Sequence, residues 1–125
     1  MSKFTPAVSL RLGLAALAAA AFLPAAGAQD VLLVTDWTAK RVMTFSPQDG
    51  SVINETFIPD GGRLRQPINA IASGNGTILV SDQLADAIFE YDLQGQYIRT
   101  FTDLAASGID SPKGIDIRDG VLYAV

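Results

Sequence analysis

The sequence predicts an all-β chain built from repeated antiparallel units of four strands, and three observations carry that expectation. The chain repeats itself: "LLVTD" (Leu32 to Asp36) returns as "ILVSD" (Ile78 to Asp82), and "RVMTF" (Arg41 to Phe45) returns as "AIFEY" (Ala87 to Tyr91), both displaced by 46 positions. Further on, "QPINAIASGNG" (Gln66 to Gly76) aligns with "SPKGIDIRDG" (Ser111 to Gly120), and "TILV" (Thr77 to Val80) with "VLYA" (Val121 to Ala124). The copies also keep their side-chain phase. Ala87, Phe89 and Tyr91 alternate with Ile88 and Glu90, and Met43 and Phe45 fall in step with Phe89 and Tyr91. A slip of one residue would turn every strand side chain to the opposite face, so a conserved phase points to a conserved packing role. Turn residues punctuate the strands at "SPQDG", "SGNG", "DLQG" and "RDG". A period of this length is that expected of a four-stranded blade, which makes the fold class a partial β-propeller.

Along the chain, the first element is a leader. Lys3 and Arg11 precede the apolar run Leu12 to Leu23, and Ala26 and Ala28 flank Gly27. That order of charged, apolar and small residues is that of a signal-peptide helix over residues 1–28, cleaved after Ala28. The apolar run is shorter than the roughly 20 residues needed to cross a bilayer as a helix, so no stable membrane anchor is expected after cleavage. The rest, residues 29–125, reads as an incomplete propeller and as secreted or periplasmic. A partial blade over 31–57 carries strands near Val31 to Thr35, Arg41 to Phe45 and Ser51 to Phe57. A complete blade over 68–101 carries strands near Ile68 to Ser73, Thr77 to Ser81, Ala87 to Tyr91 and Gln96 to Phe101. A second partial blade over 113–125 carries two strands, with Val125 inside the second. "IPDGGRLRQP" and "TDLAASGIDSP" are expected to connect an outer strand to the next inner one, with Arg63 and Arg65 on a solvated loop.

Composition removes several function classes. All thirteen Asp and Glu but only seven of the nine Lys and Arg follow Gln29, so the exported part is acidic and poorly suited to nucleic acid. The chain has no Cys and no His. Nucleophilic triads, imidazole proton transfer and ordinary zinc sites therefore have no residues to work with.

The succession of Pro, small-residue strand, Gly turn, "(I/L)-L-V-(S/T)-D", apolar strand and Gly turn resembles NHL-type and SMP-30/gluconolactonase-like β-propeller repeats across Val31 to Val125. In the gluconolactonase-like branch, an Asn just before a small-residue inner strand binds a divalent metal such as calcium, and Asn69 in "PINAIASGNGTILVSD" matches that position. Two features depart from that branch: Lys113 precedes Gly114 where a carboxylate is usual, and the Glu-Gly-Pro segment is missing. Asp36 and Asp82 end equivalent strands, and because they recur they read as turn-forming Asx residues rather than catalytic ones. Trp37 has Gln83 as its counterpart. It is either a ligand or partner contact or a cap on the sheet edge.

Two functions are expected from this pattern. The first is an exported scaffold that binds a protein, glycan or small ligand, as a piece of a longer propeller. The second is the N-terminal part of a metal-dependent lactonase-like hydrolase. A blade cannot bury its apolar faces alone, so the outermost faces, either that of Phe89 and Tyr91 or that of Ile88, are expected to lie uncovered. A self-sufficient β-sandwich and a ring of several copies are the rival architectures.

Overall fold

A computed structural model describes residues 30–125; the expected signal peptide, Met1 to Ala28, and its cleavage after Ala28 lie outside them. The described residues are all-β apart from one helical turn. Strands β1 (Leu32–Asp36), β2 (Arg41–Phe45) and β3 (Val52–Ile58) form the first sheet. Strands β4 (Pro67–Ala72), β5 (Thr77–Asp82), β6 (Ala87–Asp92) and β7 (Tyr97–Asp103) form the second, and β8 (Ile115–Arg118) with β9 (Val121–Ala124) the third. Each sheet is an antiparallel meander in chain order, and none closes on itself.

The turns repeat as faithfully as the strands. Asp36 Oδ1 accepts the Ala39 N–H at 3.0 Å, and Asp82 Oδ1 accepts the Ala85 N–H at 3.0 Å. Both turns then pass through a left-handed residue that is not glycine, Lys40 (φ 55°) and Asp86 (φ 51°). The carboxylate closes the turn and holds the backbone in a region that such residues seldom enter.

Local structure adds one detail and corrects another. "TDLAASGIDSP" leads from β7 to β8, and within it β7 runs on to Asp103 and Leu104–Ser107 form one helical turn. Asp103 caps it by accepting the Ala106 N–H, and Gly108, at φ 74°, ends it in the left-handed region. Strand β9 ends at Ala124, so Val125 lies just outside it. Val125 is still tied to the start of β8, donating to Gly114 O and accepting from Lys113 N.

The strand phase read from the sequence decides which cluster each side chain joins. Ile78, Val80, Ala87, Phe89 and Tyr91 pack against Val42, Ile58 and Leu64, with Leu33 and Phe57 at the margin. From the other face of the second sheet, Leu79 and Ile88 pack with Ile115, Ile117 and Leu122. The second sheet is therefore covered on both faces. The Phe89/Tyr91 face and the Ile88 face are both buried, contrary to the expectation that one of them would lie open. The uncovered faces are the far side of the first sheet, where Leu32 and Val34 share a face with Phe45 and Met43, and the far side of the third, with Tyr123.

Consecutive sheets meet along their first strands, β1 beside β4 and β4 beside β8. One hydrogen bond recurs at each seam. Thr35 Oγ1 donates to Ile68 O at 2.9 Å, and its counterpart Ser81 Oγ donates to Lys113 O at 2.6 Å. The "(S/T)-D" pair thus divides its work: the hydroxyl ties each sheet to the next one, and the carboxylate builds the turn.

Candidate functional site

The structure places Trp37 at the end of β1 with 58% of its surface exposed. With Thr35, Pro67 and Ile68 it lines an open pocket of about 320 Å³ where the first two sheets meet. An indole beside a proline ring and an aliphatic side chain, with polar groups nearby, can hold a flat apolar face and a hydrogen-bonding edge at once. Gln83, the counterpart of Trp37, stands on the β5–β6 turn.

Asn69 is half-buried on β4, one residue beyond the Ile68 carbonyl that accepts Thr35, and it pairs across the ladder with Ser81. It brings one amide oxygen. Calcium takes six to eight oxygen ligands, and among the described residues no group of three or more carboxylates or imidazoles surrounds a common point. The two nearest repeated acids are already committed. Asp82 is fully buried, and its carboxylate accepts Arg65 N at 2.7 Å, Gln66 N at 2.9 Å and Ala85 N at 3.0 Å. It holds its own turn and also the connection that leads into β4. Asp36 accepts Ala39 N and the Arg41 guanidinium, whose Nε lies 3.2 Å from Oδ2. The Ala39 N–H, and after it Arg41, hold the Asp36 carboxyl below the usual aspartate range. The residues around Asn69 therefore do not compose a calcium site by themselves.

A polar chain absent from the sequence expectations runs between the second and third sheets. Ser73 Oγ and Thr77 Oγ1 are 2.7 Å apart, Thr77 donates to Glu90 Oε1 at 2.8 Å, and Arg99 Nε donates to Glu90 Oε2 at 2.6 Å. Arg99 also lies over Phe101, 5.1 Å from the ring centroid. Glu90 is 9% exposed and its carboxyl is held below the ordinary glutamate range. The Thr77 hydroxyl is the largest cause, burial opposes it, and Arg99 adds to it. The chain borders a cavity of about 390 Å³ with Asn75, Ile117 and Leu122. Every charge in it is paired, so it serves as a polar seam between sheets and offers no free nucleophile or base. One signal for it was present in the sequence: an acidic residue on a strand face shared with Ile88.

The loop "GGRLR" is less solvated than its composition implies. Arg63 lies over the ring of Tyr97, 3.5 Å from its centroid, and Tyr97 meets Phe89 and Tyr91 edge to face at 6.3 and 5.8 Å. Leu64 in the same loop is 1% exposed. Tyr91 lies beneath this stack, and burial pushes its phenol up to about 12.

Among the described residues no helix is long and apolar enough to cross a membrane. Compared with protein-family models, curated proteins and solved structures, the chain finds no significant match.

Proposed function

We propose that this chain is an exported segment of a β-propeller, part of a longer radial array, and that it acts as a binding scaffold. The period of the sequence supports the radial reading, as do the seams between consecutive first strands and the hydroxyl-to-carbonyl bond repeated at each seam. The observation that carries the binding role is Trp37: a largely exposed tryptophan beside Pro67 and Ile68, at a position the repeat itself does not require. Tryptophan is enriched among the few residues that carry most of the energy of a binding contact.

Trp37 is the sole tryptophan of the chain, so its emission reports occupancy of this pocket directly. Titration with a panel of oligosaccharides and proline-containing peptides is expected to find a member that shifts the emission saturably. Trp37→Ala then abolishes capture of that member, whereas Leu84→Ala, an exposed apolar residue on the β5–β6 turn, leaves it intact. A panel that never moves the emission, or capture that survives Trp37→Ala, overturns the binding role.

A metal-dependent lactonase-like hydrolase is the second reading, favoured by the half-buried place of Asn69 on β4 where the first strands meet. It requires further oxygen ligands from a longer parent protein. A calcium-dependent rise in the parent's melting temperature, lost in Asn69→Ala, would support it.

A further inference from the structure

The chain carries three asparagines, and only Asn75 is followed by glycine. Asparagine is chemically labile, because the backbone nitrogen of the next residue can attack its side-chain carbonyl carbon. Three conditions favour that attack: an accessible side-chain amide, a following residue without a Cβ, and a backbone N–H not already donated to an acceptor. Asn75 and Gly76 meet all three in the turn between β4 and β5.

Both residues are exposed, although the matching turn of the third sheet stands beside them and its Gly120 borders the same cavity as Asn75. Gly76 lies at φ 77°, and a Cβ built there would meet nothing within 4 Å, so no neighbour crowds it. Ser73 Oγ accepts the N–H groups on either side of it, Asn75 at 3.1 Å and Thr77 at 3.3 Å. The Gly76 N–H between them is donated to no acceptor among the described residues. Other turns differ in that one respect. Gln94 and Asp49 also precede glycines, but the Gly95 N–H is tied to Asp92 O at 3.1 Å and the Gly50 N–H to Ser46 O at 2.8 Å. Asp60 and Asp119 precede glycines as well, but an ionised carboxylate is a poor electrophile. The two remaining asparagines are held in strands: Asn69 is half-buried opposite Ser81, and Asn54 Oδ1 accepts the Thr56 N–H at 2.9 Å.

We propose that Asn75 is a site of spontaneous deamidation in the folded protein. The Gly76 nitrogen bonds to Asn75 Cγ, the Cγ–Nδ2 bond breaks, and the amide group leaves as ammonia carrying the proton from Gly76. Water then opens the cyclic imide at either carbonyl, giving aspartate or isoaspartate. Either product sets a new carboxylate at the edge of the cavity that Glu90 also borders. Isoaspartate adds a main-chain carbon inside the turn that Ser73 closes, next to the hydroxyl pair that leads to Glu90. The folded chain therefore ages first at the polar seam between the second and third sheets.

The test is peptide mapping by mass spectrometry of the full chain held in mildly alkaline buffer. The Asn75 peptide is expected to gain the mass difference between an amide and a carboxylic acid, with isoaspartate the larger fraction, while Asn54 and Asn69 keep their amides. Asn75→Gln, whose longer side chain would have to close a six-membered imide, is expected to abolish the gain. The same incubation in guanidinium chloride gives the rate without the fold. Conversion in the folded chain within roughly tenfold of that rate supports the site, whereas a slower one means that the turn shields Asn75 and overturns it. Conversion of Asn54 or Asn69 ahead of Asn75 overturns it as well. Neither result bears on the Trp37 pocket.

Discussion

The first and second sheets are near copies in sequence, yet they live in different surroundings. Val34 and Val80 are the same residue at the same repeat position, one 39% and the other 0% exposed. Asp36 and Asp82 end equivalent strands, one half-exposed and the other fully buried. Thr44 and Glu90 are counterparts as well, and each sits opposite its own partner on the next strand, Asn54 for Thr44 and Arg99 for Glu90. Sequence equivalence therefore determines which way a side chain points. What that side chain is worth depends on whether a neighbouring sheet covers it.

The largest difference between the two sheets is expected at the aspartates. Asp82→Ala strips three backbone N–H groups of their shared acceptor, those of Arg65, Gln66 and Ala85. A partly buried donor left without a partner costs about 1 to 3 kcal/mol, so the variant is expected to lose about 3 to 5 kcal/mol, with partial rehydration of the loop. Asp36→Ala strips the exposed Ala39 N–H, which water can reach, and one surface ion pair with Arg41. That loss is expected to be about 1 kcal/mol. Urea unfolding of both variants measures the contrast. Equal losses would mean that the connection into β4 is not held by Asp82.

Valine gives the next contrast at constant chemistry. Val80→Ala removes two buried carbons and leaves a cavity between the first and second sheets, at a cost of about 2 to 3 kcal/mol. Val34→Ala removes the same two carbons from an open face and is expected to cost less than about 1 kcal/mol in the monomer. Equal losses in the two variants would mean that the far face of the first sheet is as well covered as the seam between the first and second sheets.

The strands and their facing were legible because a buried β-strand writes a period of two into its sequence, as in Ala87 to Tyr91. The Asx turns were legible because Asp36 and Asp82 each accept a backbone N–H three residues on, whereas the bonds that tie Asp82 to Arg65 and Gln66 were not. Contacts between distant segments left no such trace. The docking of Arg63 on Tyr97 joins a loop to a strand more than thirty positions away, and "GGRLR" reads as solvated until that strand is in place. The turn glycines show the same limit. Gly50 and Gly95 both close hairpins at positive φ, 75° and 80°. A Cβ at Gly50 would meet nothing, whereas at Gly95 it would overlap the carbonyl oxygen of Phe57 in the neighbouring sheet. Local turn chemistry explains the first glycine completely and the second only in part. At the candidate site, the position of Trp37 outside the repeat was visible in the sequence, but its neighbours Pro67 and Ile68 come from the next sheet.

The smallest contrast concerns charge, and it belongs to the second sheet alone. Glu90 has its carboxyl lowered, first by the Thr77 hydroxyl and then, against the cost of burial, by Arg99. A carboxylate with a folded value below its unfolded value of about 4.3 contributes stability that is fully present above that unfolded value. The contribution is lost as pH falls through the lowered folded value. Melting temperature is therefore expected to fall as the pH drops below about 4.3, and Glu90→Gln to flatten part of that decline by removing the titrating group. Asp36 and Asp49 are lowered too, so the wild type and the variant share a residual slope, and only the difference between them reports Glu90. Thr44→Val, at the counterpart in the first sheet, removes a neutral hydroxyl and is expected to shift the whole curve without changing its slope. A slope change in Thr44→Val, or none in Glu90→Gln, would mean that the acid sensitivity does not arise at the polar seam between the second and third sheets.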